Sequence, residues 1–304
     1  MICESSAPWL HFSLCPICSD ASLDSYKQGN LHAQSLQASQ IKITDSEYGK
    51  VWDLSRCRRC GHVFANPCPP EDLIRSLYGG IEDPDYEEEA QGRGKNFIGI
   101  LDRLENLAQR KGTLFDVGAA TGILMHLAEQ RGWKVDGIDP SRWAVGVARH
   151  KYGLPMREGS FESAALPAEH FTAVTLIDFI EHIPHPAAAM AKVSEILEPG
   201  GIVCLVTPDI TSLAARVAGS RWWHYRPGHL AYFTWDSLSR LLIRSGLRPI
   251  MLRRYAWTFS LHYLLSRKRI GHLFLKNPDL TSFWRKIPLK LALNDSFEIY
   301  AKKD

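Results

Sequence analysis

The sequence contains no apolar run close to the roughly 18 residues that a membrane-spanning helix needs. Its first residues, MICESSAPWLHFSLCPIC, also lack the basic segment followed by an apolar core that marks a secretory signal. These two absences exclude the membrane-span and signal-peptide patterns. We therefore expect a cytoplasmic protein.

The chain also has little net charge, +3 from 36 Lys and Arg against 33 Asp and Glu. The basic residues are scattered rather than arranged in a stripe, so no nucleic-acid partner is expected. Charge is nevertheless uneven, because residues 71–89 are acidic and residues 253–304 are basic. The run Arg267-Lys268-Arg269 fits a solvated face, a phosphate of a nucleotide-linked or lipid-linked ligand, or peripheral contact with a membrane surface.

A length of 304 residues suits one full α/β domain plus a small appendage, and 45% hydrophobic residues can form a sizeable core. The breaker NPCPP closes the first unit, residues 1–70. The acidic residues 71–94 are interpreted as a linker or flexible lid. Residues 95–304 are the predicted main domain, with a helical insertion at about 257–293.

Strand and helix patterns alternate through the main domain. TLFDV, WKVDGID, LPMRE, FTAVTLID and GIVCLVT are predicted strands, separated by helices, one of them capped by Ser141. Such alternation implies right-handed crossovers and a parallel sheet. LRPIMLRRY and the closing SFEIYAKK are two further predicted strands.

Four of the seven cysteines form two C-x2-C pairs, Cys15 with Cys18 and Cys57 with Cys60. Four thiolates from two such turns make a closed tetrahedral site, which is typical of structural zinc. Free or disulfide-linked cysteines are the alternative. The other three, Cys3, Cys68 and Cys204, are interpreted as small buried or incidental thiols.

A small-residue loop follows the first strand of the main domain, from Asp116 to Gly122, and a helix begins directly after it. Glycine and alanine allow close approach of a ligand to the backbone. Ala120 stands where dinucleotide binding would require a second glycine, so that class is disfavoured. Asp139 ends the next strand, where a carboxylate can accept both hydroxyls of a ribose. Loop and acid together predict a nucleoside site; the alternative is a tight turn with a helix-capping charge.

These pieces resemble the class I S-adenosylmethionine-dependent methyltransferases over roughly residues 95–254. The phrases that carry the resemblance are FDVGAATG, GIDPS, REGSFE, FTAVTLIDFIEHIPHP, LEPGGIVCLVTP and RPGHLAYFTWDSL. The resemblance implies a doubly wound, mostly parallel, Rossmann-like sheet of seven strands. The cofactor residues that it implies are Asp116 and Gly118 at the methionyl part, with Ala119 and Gly122 in the same loop, Asp139 at the ribose, Ser160 and Phe161 near adenine, and Asp178 beside the cofactor. Ser160 stands where many members carry an acid, and Thr172 replaces a common Asp.

The fusion of paired cysteines to such a domain resembles bacterial methyltransferases with a zinc-binding module, a group that includes sugar C-methyltransferases. The resemblance implies a zinc-ribbon-like module ahead of the catalytic domain. It also implies a small-molecule acceptor, for which we expect a sugar or an envelope-glycan precursor methylated at oxygen or carbon.

Histidines after the fifth strand of the main domain are the predicted acid–base groups, because this region borders the acceptor in the class. His229 is the predicted base and His224 the second choice. The alternative for His229 is a structural histidine that pins its loop. His182 and His185 are interpreted as shaping a turn, with metal binding as the alternative.

Four aromatic residues in the basic insertion line either the acceptor pocket or a core; they are Trp257, Phe259, Tyr263 and Phe274. Two other functions are compatible with the sequence. One is an enzyme that uses the same cofactor for different chemistry. The other is an adaptor that binds nucleic acid or protein, with a vestigial cofactor site. Oligomeric state is left open.

Overall fold

A central sheet of seven strands organises the chain in the computed structural model, which describes residues 8–31, 36–44, 47–266 and 278–304. The strands lie in the order β10-β13-β8-β7-β4-β5-β6. All neighbours are parallel except β13, which runs antiparallel to β8 and β10. The bounds are β4 Thr113–Val117, β5 Lys134–Asp139, β6 Met156–Glu158, β7 Phe171–Ile177, β8 Leu197–Pro208, β10 Leu247–Arg254 and β13 Ser296–Lys303. The predicted Rossmann-like methyltransferase fold is confirmed.

Alternate residues of the buried strands face two separate cores. Phe115 and Val203 belong to one core with helices α6 and α8, whereas Leu114 and Ile202 belong to the other with α3 and α4. This period of two places helices on both faces of the sheet. The helices of this domain are α3 Ala90–Leu107, α4 Ile123–Gln130, α5 Arg142–Tyr152, α6 Pro186–Ile196, α7 Leu213–Ala218 and α8 Trp235–Arg244.

The direction of winding reverses between β4 and β7. From β4 the chain proceeds to β5 and β6 on one side, and the next strand, β7, lies on the other side of β4. Ligands of open α/β sheets bind in the crevice at such a point, outside the carboxyl ends of the strands. Asp116 lies in β4, Asp139 ends β5, and Asp178 follows β7, so all three are near this crevice.

A second, four-stranded antiparallel sheet is formed largely by the N-terminal residues. Its order is β1-β2-β3-β9, with β1 Leu23–Lys27, β2 Leu54–Cys57, β3 Val63–Ala65 and β9 Ala231–Tyr232. The fourth strand thus comes from the far side of the predicted boundary at residue 70. The β-branched segment IKIT, residues 41–44, favours a strand by composition but forms a turn region.

The acidic segment 71–94 is mostly helical. It forms α1 Glu71–Gly79, α2 Pro84–Glu88 and the first turn of α3, whereas the sequence was interpreted as a linker or lid. Asp83 accepts the backbone N–H of Tyr86 at the start of α2 and that of Thr44 at 2.9 Å. These caps tie the segment to the N-terminal residues; a lid function stays a prediction.

The predicted helical insertion at 257–293 is wrong in part. Its two ends pair as a hairpin-like sheet, β11 Trp257–Ser260 with β12 Pro288–Leu291, between which lie α9 Leu261–Ser266 and α10 Pro278–Lys286. The β-branched and aromatic residues of WTFS favour a strand over a helix. Arg267-Lys268-Arg269, Phe274 and Cys3 lie outside the described residues.

Candidate cofactor and acceptor site

The glycine loop between β4 and α4 has a left-handed backbone at alternate positions. Gly118 has φ +67°, Ala120 +47° and Gly122 +79°. A Cβ at Gly118 would lie 3.0 Å from the Phe179 ring, so glycine is required by both space and conformation. The loop therefore brings bare backbone to the crevice, as the sequence predicts.

Asp139 joins this loop to the end of β5. Its Oδ2 accepts the N–H of Ala120 and its Oδ1 accepts the N–H of Ser141, both at 2.8 Å. Burial raises the pKa of Asp139 to about 6, against these two N–H groups, which lower it. Each carboxylate oxygen keeps a second lone pair, so the group can accept two more hydrogen bonds from a ligand.

Asp116 lies in β4 and Asp178 directly follows β7, the two strands at the winding reversal. Asp116 accepts the Thr175 hydroxyl at 2.6 Å, and burial raises its pKa to about 7. Asp178 has φ +51° and an Oδ1 without a hydrogen-bond partner among the described residues. Burial raises the pKa of Asp178 to about 6, opposed by the nearby His224 and Arg93.

Ser160 and Phe161 follow β6. The Ser160 hydroxyl lies 2.9 Å from that of Ser163. Phe161 is almost fully buried and packs against Phe115 at 6.3 Å between ring centroids. An adenine contact from either residue stays a prediction.

One cavity of about 710 Å³ connects these elements. The predicted residues in its wall are Gly118, Asp139, Ser160, Phe161, Asp178, His224 and His229. Asp116, Ala119 and Gly122 are buried next to the wall rather than part of it. The far end is aromatic and aliphatic, with Trp223, Trp257, Phe259, Tyr263, Leu264, Leu291 and Leu293.

Three histidines meet at the acceptor side of this cavity. The His229 ring lies 4.7 Å from that of His182, edge to face, and 5.8 Å from that of His224, stacked. Burial, together with His182 and Arg226, holds the pKa of His229 well below its usual range. His229 is therefore neutral at pH 7, with an Nδ1 that has no partner among the described residues.

The other two histidines have identifiable partners. His224 Nε2 lies 3.3 Å from Asp295 Oδ2. His182 Nδ1 lies 2.8 Å from the Gly228 carbonyl and 2.6 Å from the Tyr78 hydroxyl. A carbonyl can only accept, so we assign the proton of neutral His182 to Nδ1 and the lone pair to Nε2.

Glu181 was not singled out from the sequence, although it lies in the EHIPHP phrase. It is fully buried, accepts the Thr207 hydroxyl at 2.9 Å, and brings one carboxylate oxygen within 4.8 Å of ring nitrogens of His182 and His229. His185 lies apart, exposed, with Nε2 3.3 Å from Glu71. The structure therefore does not bring His182 and His185 together as a pair of ligands.

The four predicted cysteine ligands converge in the N-terminal sheet. Sγ of Cys15 lies 3.7 Å from that of Cys60, and Sγ of Cys18 lies 3.5 Å from that of Cys57. Both distances exceed a disulfide bond of about 2.05 Å. They match the separation of about 3.8 Å that four Zn–S bonds of about 2.3 Å impose in a tetrahedron. The four cysteines fit a zinc-ribbon-like module.

Several wall residues come from segment 71–94, which the sequence pattern does not assign to the site; they are Tyr78, Asp83, Tyr86 and Arg93. One signal was available. Arg93 precedes Phe97 by four residues, so it extends the apolar face of α3 by one turn. The acidic composition of residues 71–89 concealed this helical periodicity.

A family model described as a methyltransferase domain matches residues 87–252, more than half of the chain. The ubiquinone biosynthesis O-methyltransferase of Azoarcus sp. is 37% identical over 100 residues, which cover 31% of this chain and 43% of the relative. The protein of the same name from Cereibacter sphaeroides is 27% identical over 165 residues, or 49% of this chain and 67% of the relative. The chain thus spans less than half the length of the first relatives that it matches.

Among solved structures, a SAM-dependent methyltransferase from Methanosarcina mazei is 16% identical and covers 66% of this chain and 96% of its own, with a TM-score of 0.45. Among the described residues, none of the helices is long and apolar enough to cross a membrane. The family match and the confirmed fold together show that the chain belongs to the class I S-adenosylmethionine-dependent methyltransferases.

Proposed function

We propose that this enzyme methylates an oxygen of a small-molecule acceptor held in the 710 Å³ cavity. The observation that carries the proposal is the joining, in one cavity wall, of the glycine loop, the ribose-type carboxylate Asp139 and the histidines. Cofactor and acceptor can then meet without leaving the enclosed space, and such positioning supplies much of the rate. The names of the relatives favour oxygen over carbon.

On the cofactor side, Asp139 would hold the ribose hydroxyls through the lone pairs left by Ala120 and Ser141. Asp116 and Gly118 would meet the methionyl part, with Ala119 and Gly122 shaping the loop. Ser160 and Phe161 would border adenine, and Asp178 would lie beside the methionyl chain. S-adenosylmethionine, when bound, supplies a sulfonium methyl group that leaves a neutral thioether.

On the acceptor side, His229 would act on the acceptor rather than on the cofactor. As the base, with His224 as second choice, it would take the hydroxyl proton while the new O–CH3 bond forms and the S–CH3 bond breaks. The low pKa of His229 keeps it unprotonated at neutral pH, so it is in the form that accepts a proton. The structural alternative is that His229 pins the loop 228–233.

The cavity favours an acceptor with an apolar or aromatic part. The ring centroids of Trp257 and Phe259 lie 6.2 Å apart and those of Phe259 and Tyr263 lie 5.1 Å apart, both pairs stacked, so three aromatic side chains form a row in the cavity wall. The sugar or glycan precursor predicted from the sequence has no support among the relatives. Nucleotide-linked and lipid-linked acceptors stay predictions, as does peripheral membrane contact.

We also propose one structural zinc at Cys15, Cys18, Cys57 and Cys60. All four are buried, with 9% exposure or less. Without a metal, four buried thiols would form only weak hydrogen bonds with one another, whereas bound zinc would make four strong bonds to them. Zinc would hold together a module whose own core is small. The predicted division at residues 1–70, 71–94 and 95–304 is part of this proposal.

The test is a transfer assay with methyl-labelled S-adenosylmethionine and a panel of phenols, catechols and sugars, free and alkyl-linked. We expect labelled product from hydroxylated aromatic acceptors, with KM falling as an alkyl chain is added. Label transfer to sugars alone would contradict the acceptor class. No transfer to any acceptor, with S-adenosylhomocysteine unbound, would contradict the function itself.

A further inference from the structure

A single side chain of helix α3 binds the backbone of strand β11. Asn96 is buried, its Nδ2 donates to the carbonyl of Thr258 at 2.8 Å, and its Oδ1 accepts the N–H of Thr258 at 2.7 Å. A carboxamide that bonds both backbone groups of one residue takes the place of a neighbouring strand. Asn96 therefore fixes where β11 lies along α3.

A buried carboxylate makes a second attachment at the end of β11. Glu89, the residue before α3, accepts both the backbone N–H and the hydroxyl of Ser260, the hydroxyl at 2.6 Å. The Ser260 Oγ in turn accepts the N–H of Tyr263 in α9 at 3.1 Å. Through one serine, Glu89 is thus linked to the end of β11 and to the start of the helix that follows.

A glycine in α3 leaves room for this carboxylate. A Cβ at Gly92 would overlap the Glu89 carboxylate and would lie 3.4 Å from the backbone nitrogen of Ser260. A glycine inside a helix weakens it relative to alanine. The close approach of Glu89 and Ser260 accounts for the glycine at this position.

The two attachments hold the residues of the aromatic row. Successive side chains of a strand point to opposite faces, so Trp257 and Phe259 share a face of β11, and both lie in the cavity wall. Tyr263 follows on α9, with its ring plane within 13° of that of Phe259. The residues bonded to α3, Thr258 and Ser260, alternate with the two aromatic residues of β11.

We propose that Asn96 and Glu89 are positioning residues that fix the aromatic row and thereby give the cavity its affinity for acceptors with an aromatic ring. The inference rests on the proposed function, because it names the part of the chain that selects the acceptor class. Neither residue is part of the cavity wall, so each acts through β11. A ring that packs against a fixed row orders no side chain on binding, whereas a mobile row would have to be ordered at a cost in affinity.

Calorimetry measures acceptor affinity without turnover, when the alkyl-linked catechol of the panel above is titrated into enzyme saturated with S-adenosylhomocysteine. Asn96→Leu keeps the approximate size of the side chain and removes both hydrogen bonds. It should weaken the catechol by about tenfold and leave S-adenosylhomocysteine within about twofold. The matched control is Gln91→Leu, which removes a carboxamide from an exposed position of the same helix and should change neither affinity. Unchanged catechol affinity in Asn96→Leu would overturn the proposal.

A double-mutant cycle separates positioning of the row from a general loss of stability. Phe259→Leu removes one ring from the row itself. If Asn96 acts through the row, Asn96→Leu should weaken the catechol by less than about twofold in the Phe259→Leu background, so the two effects are not additive. Additive effects would assign Asn96 to the fold and overturn the proposal.

Ser260→Ala is a milder variant that tests the second attachment, since it removes only the hydroxyl shared by Glu89 and Tyr263. It should weaken the catechol about threefold or more, with S-adenosylhomocysteine unaffected. Unchanged catechol affinity, or a parallel loss of both ligands, would overturn the role of the attachment. A wild-type enzyme that binds the catechol without methylating it would contradict the proposed function alone, and one that binds no aromatic acceptor would contradict both proposals.

Discussion

The cofactor side and the acceptor side of the cavity are assembled in different ways. The cofactor side comes from consecutive strand ends and loops of one parallel sheet, from β4 to β7. The acceptor side combines His182, which follows β7, with His224 and His229 from the segment after α7. That later segment contacts the N-terminal cysteine-bearing sheet. The cofactor side is therefore formed within one continuous part of the sheet, whereas the acceptor side depends on contacts between distant parts of the chain.

Backbone hydrogen bonds make this dependence explicit. The N–H of Ala65 in β3 donates to the carbonyl of Leu230 at 2.7 Å, and the N–H of Leu230 donates to the carbonyl of Glu181 at 2.8 Å. The Thr234 hydroxyl donates to the carbonyl of Cys60 at 2.9 Å. The residue next to Leu230 is His229, so the N-terminal sheet contacts the acceptor side directly.

Disruption of the cysteine centre, the proposed zinc site at Cys15, Cys18, Cys57 and Cys60, should give the largest difference between its effects on the acceptor side and on the cofactor side. Cys57→Ser is expected to lower bound zinc from one per chain to near zero, as measured by elemental analysis. Transfer should fall by about a hundredfold, the cost of displacing an aligned group by about 1 Å, with cofactor affinity changed only a few-fold. Cys68→Ala, which removes a buried thiol outside the four, is the control. A wild-type protein purified without chelator and free of zinc would contradict the assignment.

Removal of the Asp139 carboxylate, which we propose accepts the ribose hydroxyls, should affect the cofactor side alone. Asp139→Ala is expected to weaken S-adenosylhomocysteine at least about tenfold, because a charged acceptor of two hydrogen bonds is lost. Calorimetry measures the change. The control is Asp136→Ala. Asp136 lies three residues before Asp139 in β5, and its half-buried carboxylate pairs with Arg157, so its removal should have little effect on cofactor affinity. Unchanged affinity in folded Asp139→Ala would mean that the ribose lies elsewhere.

Acid should weaken cofactor binding through the same carboxylate. Asp139, with a pKa of about 6 in the ligand-free protein, must be ionised to accept the ribose hydroxyls. Affinity for S-adenosylhomocysteine should therefore be about tenfold lower at pH 5 than at pH 7, and Asp139→Asn should flatten this dependence. Affinity that rises on acidification would contradict the assignment.

Stability should change with pH in the opposite sense. Asp116 and Asp139 have pKa values raised by burial above that of an unfolded aspartate, about 3.9. The folded state therefore binds more protons between these values, so the contribution of these two groups to the free energy of unfolding declines as pH rises from about 4 and levels off above about 7. Denaturant titrations of ligand-free wild type and Asp139→Asn would measure this contribution.

The smallest effect should come from the link between the cysteine centre and α8. Thr234 caps α8 through Ser237 and also bonds the Cys60 carbonyl. Thr234→Val should lower the free energy of unfolding by about 1–2 kcal/mol and turnover a few-fold, with cofactor affinity unchanged. Thermal melts and transfer rates measure both. A loss of cofactor affinity as large as the loss of turnover would show that the cofactor side and the acceptor side are not separable.

The two sides also differ in how much of them the sequence predicts. The sheet and its glycine loop are predictable because alternation, Gly118 and Asp139 are local patterns, each readable within a few residues. The pairing of Val63 with Tyr232 joins residues far apart in the chain, and short strands leave almost no periodic signal. The sequence therefore predicted the cysteines and His229 separately, and gave no sign that they are connected.

Segment 71–94 shows a second limit. Its acidic composition favours a solvated linker, yet tertiary contacts stabilise helices there, and Glu89 accepts hydrogen bonds from the backbone and hydroxyl of Ser260. The bonds lie across the chain, so no local pattern reveals them. Arg93, a buried residue of the cavity wall, belongs to this segment and was missed for the same reason.

We propose that His229 belongs to the acceptor side, and one measurement tests this role most directly. Turnover and S-adenosylhomocysteine affinity should be determined on the same preparation of His229→Gln, with saturating cofactor across the pH range. We predict turnover reduced about a hundredfold or more, cofactor affinity within about twofold of wild type, and loss of an acidic limb that lies well below pH 6.5. Full turnover, or parallel loss of turnover, cofactor affinity and melting temperature with an unchanged pH profile, would contradict the account.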